Sequence, residues 1–74
     1  MKREILKTLI VKEGGEEVLE ITAEKITYSE KHLSTDYKVY AFDVYTRRMQ
    51  YAFSCKDEQS AVKLAECLCE TLIF

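Results

Sequence analysis

The sequence contains no proline, no tryptophan, one histidine and only two glycines in 74 residues. A zinc site or a nucleophilic triad has no second histidine to build on, so we predict neither a metal nor a cofactor. No apolar run approaches the roughly 20 residues of a membrane-spanning helix. Neither sign of charge is in large excess, since the chain has 11 basic and 13 acidic residues and a net charge of -2. Residues of both signs are interspersed along the sequence. This balance predicts no global attraction to nucleic acid.

The cysteines Cys55, Cys67 and Cys69 are odd in number and do not form the spaced framework of a secreted, disulfide-rich domain. The basic start Met1-Lys2-Arg3 lacks the apolar run and cleavage site of a signal peptide. Both observations favour a cytoplasmic protein. A chain of this size buries only about 60% of its unfolded surface. We therefore expect it to associate, as a homodimer or with a stable protein partner.

The two adjacent glycines lie between apolar segments and are typical of a two-residue hairpin turn. A second reversal at Glu24-Lys25 would add a further strand. The predicted strands lie near residues 5 to 12, 17 to 23 and 25 to 30. The predicted pairs are Lys12 with Glu17, Val11 with Val18 and Ile10 with Leu19. The core face would then carry Leu6, Ile10, Leu19, Ile21 and Ala23.

Residues 2 to 13 also fit a helix, because their apolar side chains recur at helical spacing and Gly14 would follow its end. The β-branched residues Thr8, Ile10 and Val11 lower helix propensity and favour the strand.

The segments Tyr40-Ala41-Phe42 and Tyr51-Ala52-Phe53 predict a second hairpin with Arg47 and Arg48 at its turn. The expected pairs are Val44 with Tyr51, Phe42 with Phe53 and Tyr40 with Cys55. The second strand alternates, which places Met49, Tyr51, Phe53 and Cys55 together on the core face. That register leaves apolar side chains on the opposite face, namely Tyr37, Val39 and Tyr45. Exposed aromatic residues rimmed by charge are typical of interfaces, so we predict that these three residues bind a partner.

A closing helix is predicted from Asp57, a favoured N-cap residue, to about Ile73. Its apolar stripe consists of Ala61, Leu64, Ala65, Leu68 and Leu72. The sequence therefore predicts one α+β domain over residues 1 to 74. It has an antiparallel sheet of four to five strands in hairpins, with one face covered by the C-terminal helix.

The span from Tyr37 to Leu72, a hairpin followed by a helix, resembles the second half of a double-stranded RNA-binding domain. With a helix over residues 2 to 13, the element order of that family would be complete. The resemblance implies phosphate contacts from lysines at the start of the last helix. Here that position reads Lys56-Asp57-Glu58-Gln59. The meander and helix also resemble the closing half of a pleckstrin-homology-type barrel, and no family is assigned from either likeness.

No catalytic constellation or small-molecule motif is present, so we do not predict an enzyme. The leading interpretation is a dimeric protein–protein interaction module that binds or occludes a partner. Phage-borne inhibitors of host defence, of the anti-CRISPR type, are examples of such compact proteins. The alternative is a nucleic-acid-binding domain that uses basic residues of the second hairpin, because guanidinium groups bind phosphate well. These residues are Lys38, Arg47, Arg48 and Lys56.

Overall fold

The computed structural model describes residues 1 to 28 and 34 to 71. In these two ranges the elements are β1 (Lys2–Glu13), β2 (Glu16–Thr27), β3 (Thr35–Asp43), β4 (Arg48–Cys55) and α1 (Glu58–Thr71). The strands form one antiparallel sheet in the order β1-β2-β3-β4. The helix packs on one face of this sheet. The predicted α+β fold is confirmed, with four strands in the described part of the chain.

The first hairpin turns at Gly14 and Gly15, as predicted. Their φ angles are +60° and +83°, a region in which a Cβ atom is strained. Residues 2 to 13 form a strand, and the helical alternative is wrong. Lys12 pairs with Glu17 as expected, but a bulge shifts the register beyond it, so Val11 pairs with Leu19. The bulge also places Ile10 on the face away from the helix.

The reversal predicted at Glu24-Lys25 is wrong, because β2 continues to Thr27 as one 12-residue strand. This segment has no glycine, asparagine or proline to favour a turn. The side chains of β2 alternate between the two faces of the sheet before and after Glu24-Lys25. Ile21 and Ala23 are buried beneath the helix, and Ile26 is buried on the other face.

The second hairpin is confirmed, but its predicted register is wrong. Val39 pairs with Phe53 and Ala41 pairs with Tyr51, three positions away from the expected Phe42–Phe53 pair. A shift by an odd number of residues turns every side chain of one strand to the opposite face. The turn spans residues 44 to 47 and closes with a hydrogen bond of 2.9 Å from Arg47 N to Asp43 O. Beside the turn, Phe42 pairs with Met49 instead of Phe53, a shift of four positions that alone would keep the faces. A bulge opposite Ala41 and Phe42, in which Gln50 is the extra residue of β4, reduces the shift to three and so reverses them.

The helix begins as predicted, since Asp57 Oδ1 accepts a hydrogen bond of 2.7 Å from Ser60 N. It is described as far as Thr71, so Leu72 and Ile73 lie outside the described residues. Its two buried side chains, Ala61 and Ala65, are small and let the helix approach the sheet closely. The remaining buried core residues are Val11, Leu19, Ile21, Ala23, Val39 and Ala41. An ion pair of 2.9 Å between Lys7 and Glu66 joins β1 to the helix.

Candidate interaction surface

The sheet face that points away from α1, here called the outer face, carries a row of exposed apolar side chains. Directly paired residues of neighbouring strands point to the same face. The register therefore places Ile10, Glu20, Phe42 and Met49 side by side across all four strands. Ile10, Phe42 and Met49 are 38%, 37% and 54% exposed. We call these three residues the apolar row.

The next row along the strands is neutral. It consists of Thr8, Thr22, Tyr40 and Ala52, which are paired successively from β1 to β4. The Thr22 and Tyr40 side chains are half-buried, whereas Thr8 and Ala52 at the two edges are exposed. This row extends the apolar row towards the middle of the outer face without adding a charge.

The far end of the outer face is charged. Glu24 is buried there and accepts a hydrogen bond from the Arg3 guanidinium, with 3.1 Å between Arg3 Nη1 and Glu24 Oε1. That hydrogen bond raises the pKa of Arg3. Lys38 pairs with Glu24 from β3, and Tyr28 donates a hydrogen bond of 3.0 Å to Asp36. Ile5, which pairs with Glu24 and is 66% exposed, is an apolar side chain among these charged groups.

The turn after β3 is organised by the carboxylate of Asp43. Its oxygens accept hydrogen bonds from the backbone N–H groups of Thr46 and Tyr45 and from the Gln50 side chain, at 3.0, 2.9 and 3.2 Å. The Thr46 and Tyr45 backbone hydrogen bonds lower the pKa of Asp43. A carboxylate stabilised in its ionised form is a weak general base, so these contacts give Asp43 a structural role.

The residues predicted to bind a partner are not brought together. Val39 is completely buried beneath α1, and Tyr37 packs half-buried against the same core. Their predicted position on the outer face is wrong, because the register of β3 differs from the expected one by an odd number. Tyr45 is 64% exposed in the turn, where its hydroxyl donates a hydrogen bond to Glu16. This hydrogen bond raises the pKa of Tyr45.

The basic residues of the nucleic-acid alternative lie at two ends of the hairpin. Arg47 and Arg48 are exposed at the turn, whereas Lys56 follows the last residue of β4. Eight residues of strand correspond to about 25 Å. Lys38 pairs with Ser54 and so lies near the Lys56 end. The structure does not gather these four side chains into one cluster.

Sequence reasoning missed Phe42 and Ile10 as surface residues because each was placed in the core. Met49 was also placed on the core face, since the alternation of β4 continues without interruption in the sequence. Two bulges, one in each hairpin, change the face on which these side chains lie. No residue type in the sequence marks the place of either bulge.

The described residues contain no cluster of three or more His, Cys, Asp or Glu side chains that could hold a metal ion. In the same two ranges, no helix has the length and apolar character needed to cross a membrane. Comparisons of the chain with protein-family models, with curated proteins and with solved structures find no match.

Proposed function

We propose that this protein is a small, non-enzymatic, homodimeric interaction module that binds or occludes a protein partner through its outer face. The observation that carries the proposal is the apolar row. Ile10, Phe42 and Met49 each expose more than a third of their surface on a sheet face that α1 leaves open. Exposed apolar groups on a rigid sheet, with charged groups at their margin, are typical of protein interfaces.

The composition of the outer face also suits a protein partner. The apolar row and the neutral row form the part that would lose water on binding, and the Arg3–Glu24 pair would remain at the rim. An apolar centre with a polar rim is the usual organisation of such interfaces. Glu20, between Ile10 and Phe42, would need a hydrogen-bond donor from the partner, because an unpaired buried carboxylate is costly.

Nucleic-acid binding has less support from the surface. Phosphate contacts need several cations within reach of one backbone, and the arginines at the turn are about 25 Å along the strand from Lys56. The outer face also presents Glu20 and Asp36, which repel phosphate.

The proposal is tested by affinity capture from the organism that encodes the protein. Phe42→Ser with Met49→Ser removes most of the apolar row. Gln59→Ser with Lys63→Ser is the matched control, because both positions are exposed on α1. Wild type and control should capture the same protein, and the purified captured protein should bind both of them but not the outer-face variant. Its identity also decides whether the action is inhibition of a host defence system by a phage-borne protein.

Two results would overturn the proposal. One is equal binding of the captured protein by the outer-face variant and the control, with native circular dichroism for both. The other is capture of nucleic acid alone, eluted by salt and abolished by Arg47→Glu with Arg48→Glu. The latter result would establish the alternative function, since affinity for phosphate falls steeply as salt rises.

A further inference from the structure

Strand β4 is an edge strand whose free backbone groups are identified by the hydrogen-bond pattern. Between β2 and β3, Val44 N donates to Val18 O and Tyr28 N donates to Ser34 O, each at 3.0 Å. Because bonding alternates along an antiparallel pair, the even-numbered residues of β3 bond to β2 and the odd-numbered residues bond to β4.

The same alternation fixes the direction of the groups in β4. Tyr51 and Phe53 pair with odd-numbered residues of β3, so their N–H and C=O groups point into the sheet. Ala52 and Ser54 therefore direct their backbone groups to the free edge. These groups form a template for one more antiparallel strand.

The two edges of the sheet differ in charge. The β1 edge carries the charged residues Lys2, Arg3, Glu4, Lys7, Lys12 and Glu13. By contrast, β4 has no charged residue after Arg48 and no proline, and all its residues up to Ser54 are exposed. Natural proteins protect edge strands with charges and prolines, so β1 has this protection and β4 does not.

Apolar surface borders the unprotected edge on the helix side of the sheet. The helix lies mainly over β1, β2 and β3. It leaves Tyr51 and Phe53 45% and 40% exposed, although they are on the same face as the core. The two rings are stacked with centroids 6.3 Å apart and planes inclined at 12°. They form an ordered aromatic surface beside the free backbone groups.

We infer that β4 pairs antiparallel with β4 of a second copy of this chain. The two copies would be related by a two-fold axis perpendicular to the sheet. Directly opposed residues of paired strands point to the same face, so the axis must lie between one residue and the same residue of the second copy. With the axis at Ala52, Tyr51 faces Phe53 of the partner subunit on either side of the axis. The smallest side chain of the strand occupies the axis. Four aromatic rings then meet between the two helices.

A second copy of the chain suits this edge, because two antiparallel copies of β4 place matching residues opposite each other. The side chains beside the axis match, aromatic with aromatic, and the outward backbone groups of Ala52 meet those of the second copy in the same hydrogen-bonding phase. The result is one sheet of eight strands, twice the four of one copy. The inference rests on the homodimer of the proposed function and gives it a surface, while the apolar row stays accessible for a partner.

The regular pairing of the two strands ends on the N-terminal side of Tyr51. Gln50 is the extra residue of a bulge in β4, because Ala41 pairs with Tyr51 and Phe42 pairs with Met49. The dimer contact is therefore centred on residues 51 to 53 of each copy.

Sedimentation equilibrium at micromolar concentration tests the inference. Ala52→Pro removes the outward N–H at the axis but no hydrogen bond to β3, and proline is tolerated on edge strands. Ala52→Ser keeps the N–H and is the matched control. Wild type and Ala52→Ser should be dimers, and Ala52→Pro should dimerise at least about tenfold more weakly. Tyr51→Ser should dimerise several-fold more weakly, because it removes both contacts of Tyr51 with Phe53 of the partner subunit.

The outcomes separate the inference from the proposed function. A wild type that stays at 8.6 kDa refutes the inference and the homodimer, but leaves partner capture by the outer face intact. A dimer unaffected by Ala52→Pro with native circular dichroism refutes only the β4 edge and indicates another dimer surface. If Ala52→Pro unfolds, Tyr51→Ser decides alone, because an unchanged dimer contradicts the pairing of Tyr51 with Phe53 of the partner subunit.

Discussion

Replacement of Val39 by serine, compared with Phe42→Ser, tests the register on which the outer face depends. The two positions lie three residues apart on β3 and point to opposite faces. Val39 is completely buried between Ala23, Phe53 and the helix, whereas Phe42 is 37% exposed on the outer face. In the register expected from the sequence alone, the order of the two effects would be reversed.

The expected magnitudes follow from burial. Val39→Ser removes two buried carbon groups, leaves a cavity and buries a hydroxyl among apolar neighbours. These effects together cost about 4 kcal/mol. Phe42→Ser loses partial ring burial but leaves no closed cavity, because water reaches the site, and it should cost about 1 to 2 kcal/mol. A domain of this size has a total stability of about 4 to 11 kcal/mol.

The assay is urea unfolding followed by circular dichroism, with thermal melting as a second measurement. We expect Val39→Ser to be largely unfolded or to melt at least about 15 °C below wild type, and Phe42→Ser to melt cooperatively within about 10 °C of it. Equal slopes against urea would show that both variants unfold from the same compact state. A larger loss of stability for Phe42→Ser than for Val39→Ser would refute the register and the outer face derived from it.

Two further predictions concern the turns and the helix cap. Gly14→Ala should lower the free energy of unfolding by about 1 kcal/mol, because φ is +60°, whereas Arg47→Gly should raise it by about 0.5 kcal/mol, because Arg47 has a φ of 58°. Urea midpoints of the two variants should therefore move in opposite directions. The hydrogen bond from Ser60 N holds the pKa of Asp57 below its ordinary value of 3.8, so its contribution to stability is present above that pH and is lost as pH falls through the lowered pKa. Asp57→Asn keeps a helix cap that does not ionise. The difference between its urea midpoint and that of wild type should shrink as the pH is lowered. A difference that stays constant between about pH 5 and 2 would contradict the contribution of the ionised Asp57 to stability.

The sequence was sufficient for the two hairpins and the closing helix, although it also predicted a reversal at Glu24-Lys25 where β2 continues. Gly14-Gly15, the alternation of β4 and the N-cap at Asp57 are local signals, and each led to a confirmed element. The competing helix over residues 2 to 13 was correctly disfavoured by its β-branched residues. Local chemistry of this kind determines where an element begins and what type it is.

The faces of β1 and β3 were predicted less well, because face depends on register over a whole strand. One bulge moved Ile10 to the outer face, and a second bulge, at Gln50 of β4, made the shift of the second hairpin odd and moved Val39 into the core. Both Val39 and Phe42 are apolar, so composition alone did not distinguish the buried residue from the exposed one. The candidate site depended on this distinction and was therefore predicted less well than the fold.

The strand order β1-β2-β3-β4 has a consequence for how the chain folds. Each strand pairs with its neighbours in sequence, so each pairing closes only a short loop, and such topologies fold faster than sheets with distant pairings. During synthesis the first hairpin can form before β3 leaves the ribosome. The hydrogen bond between Lys7 and Glu66 spans 59 residues and forms only when the helix docks. We therefore expect the core to be completed after the hairpins have paired.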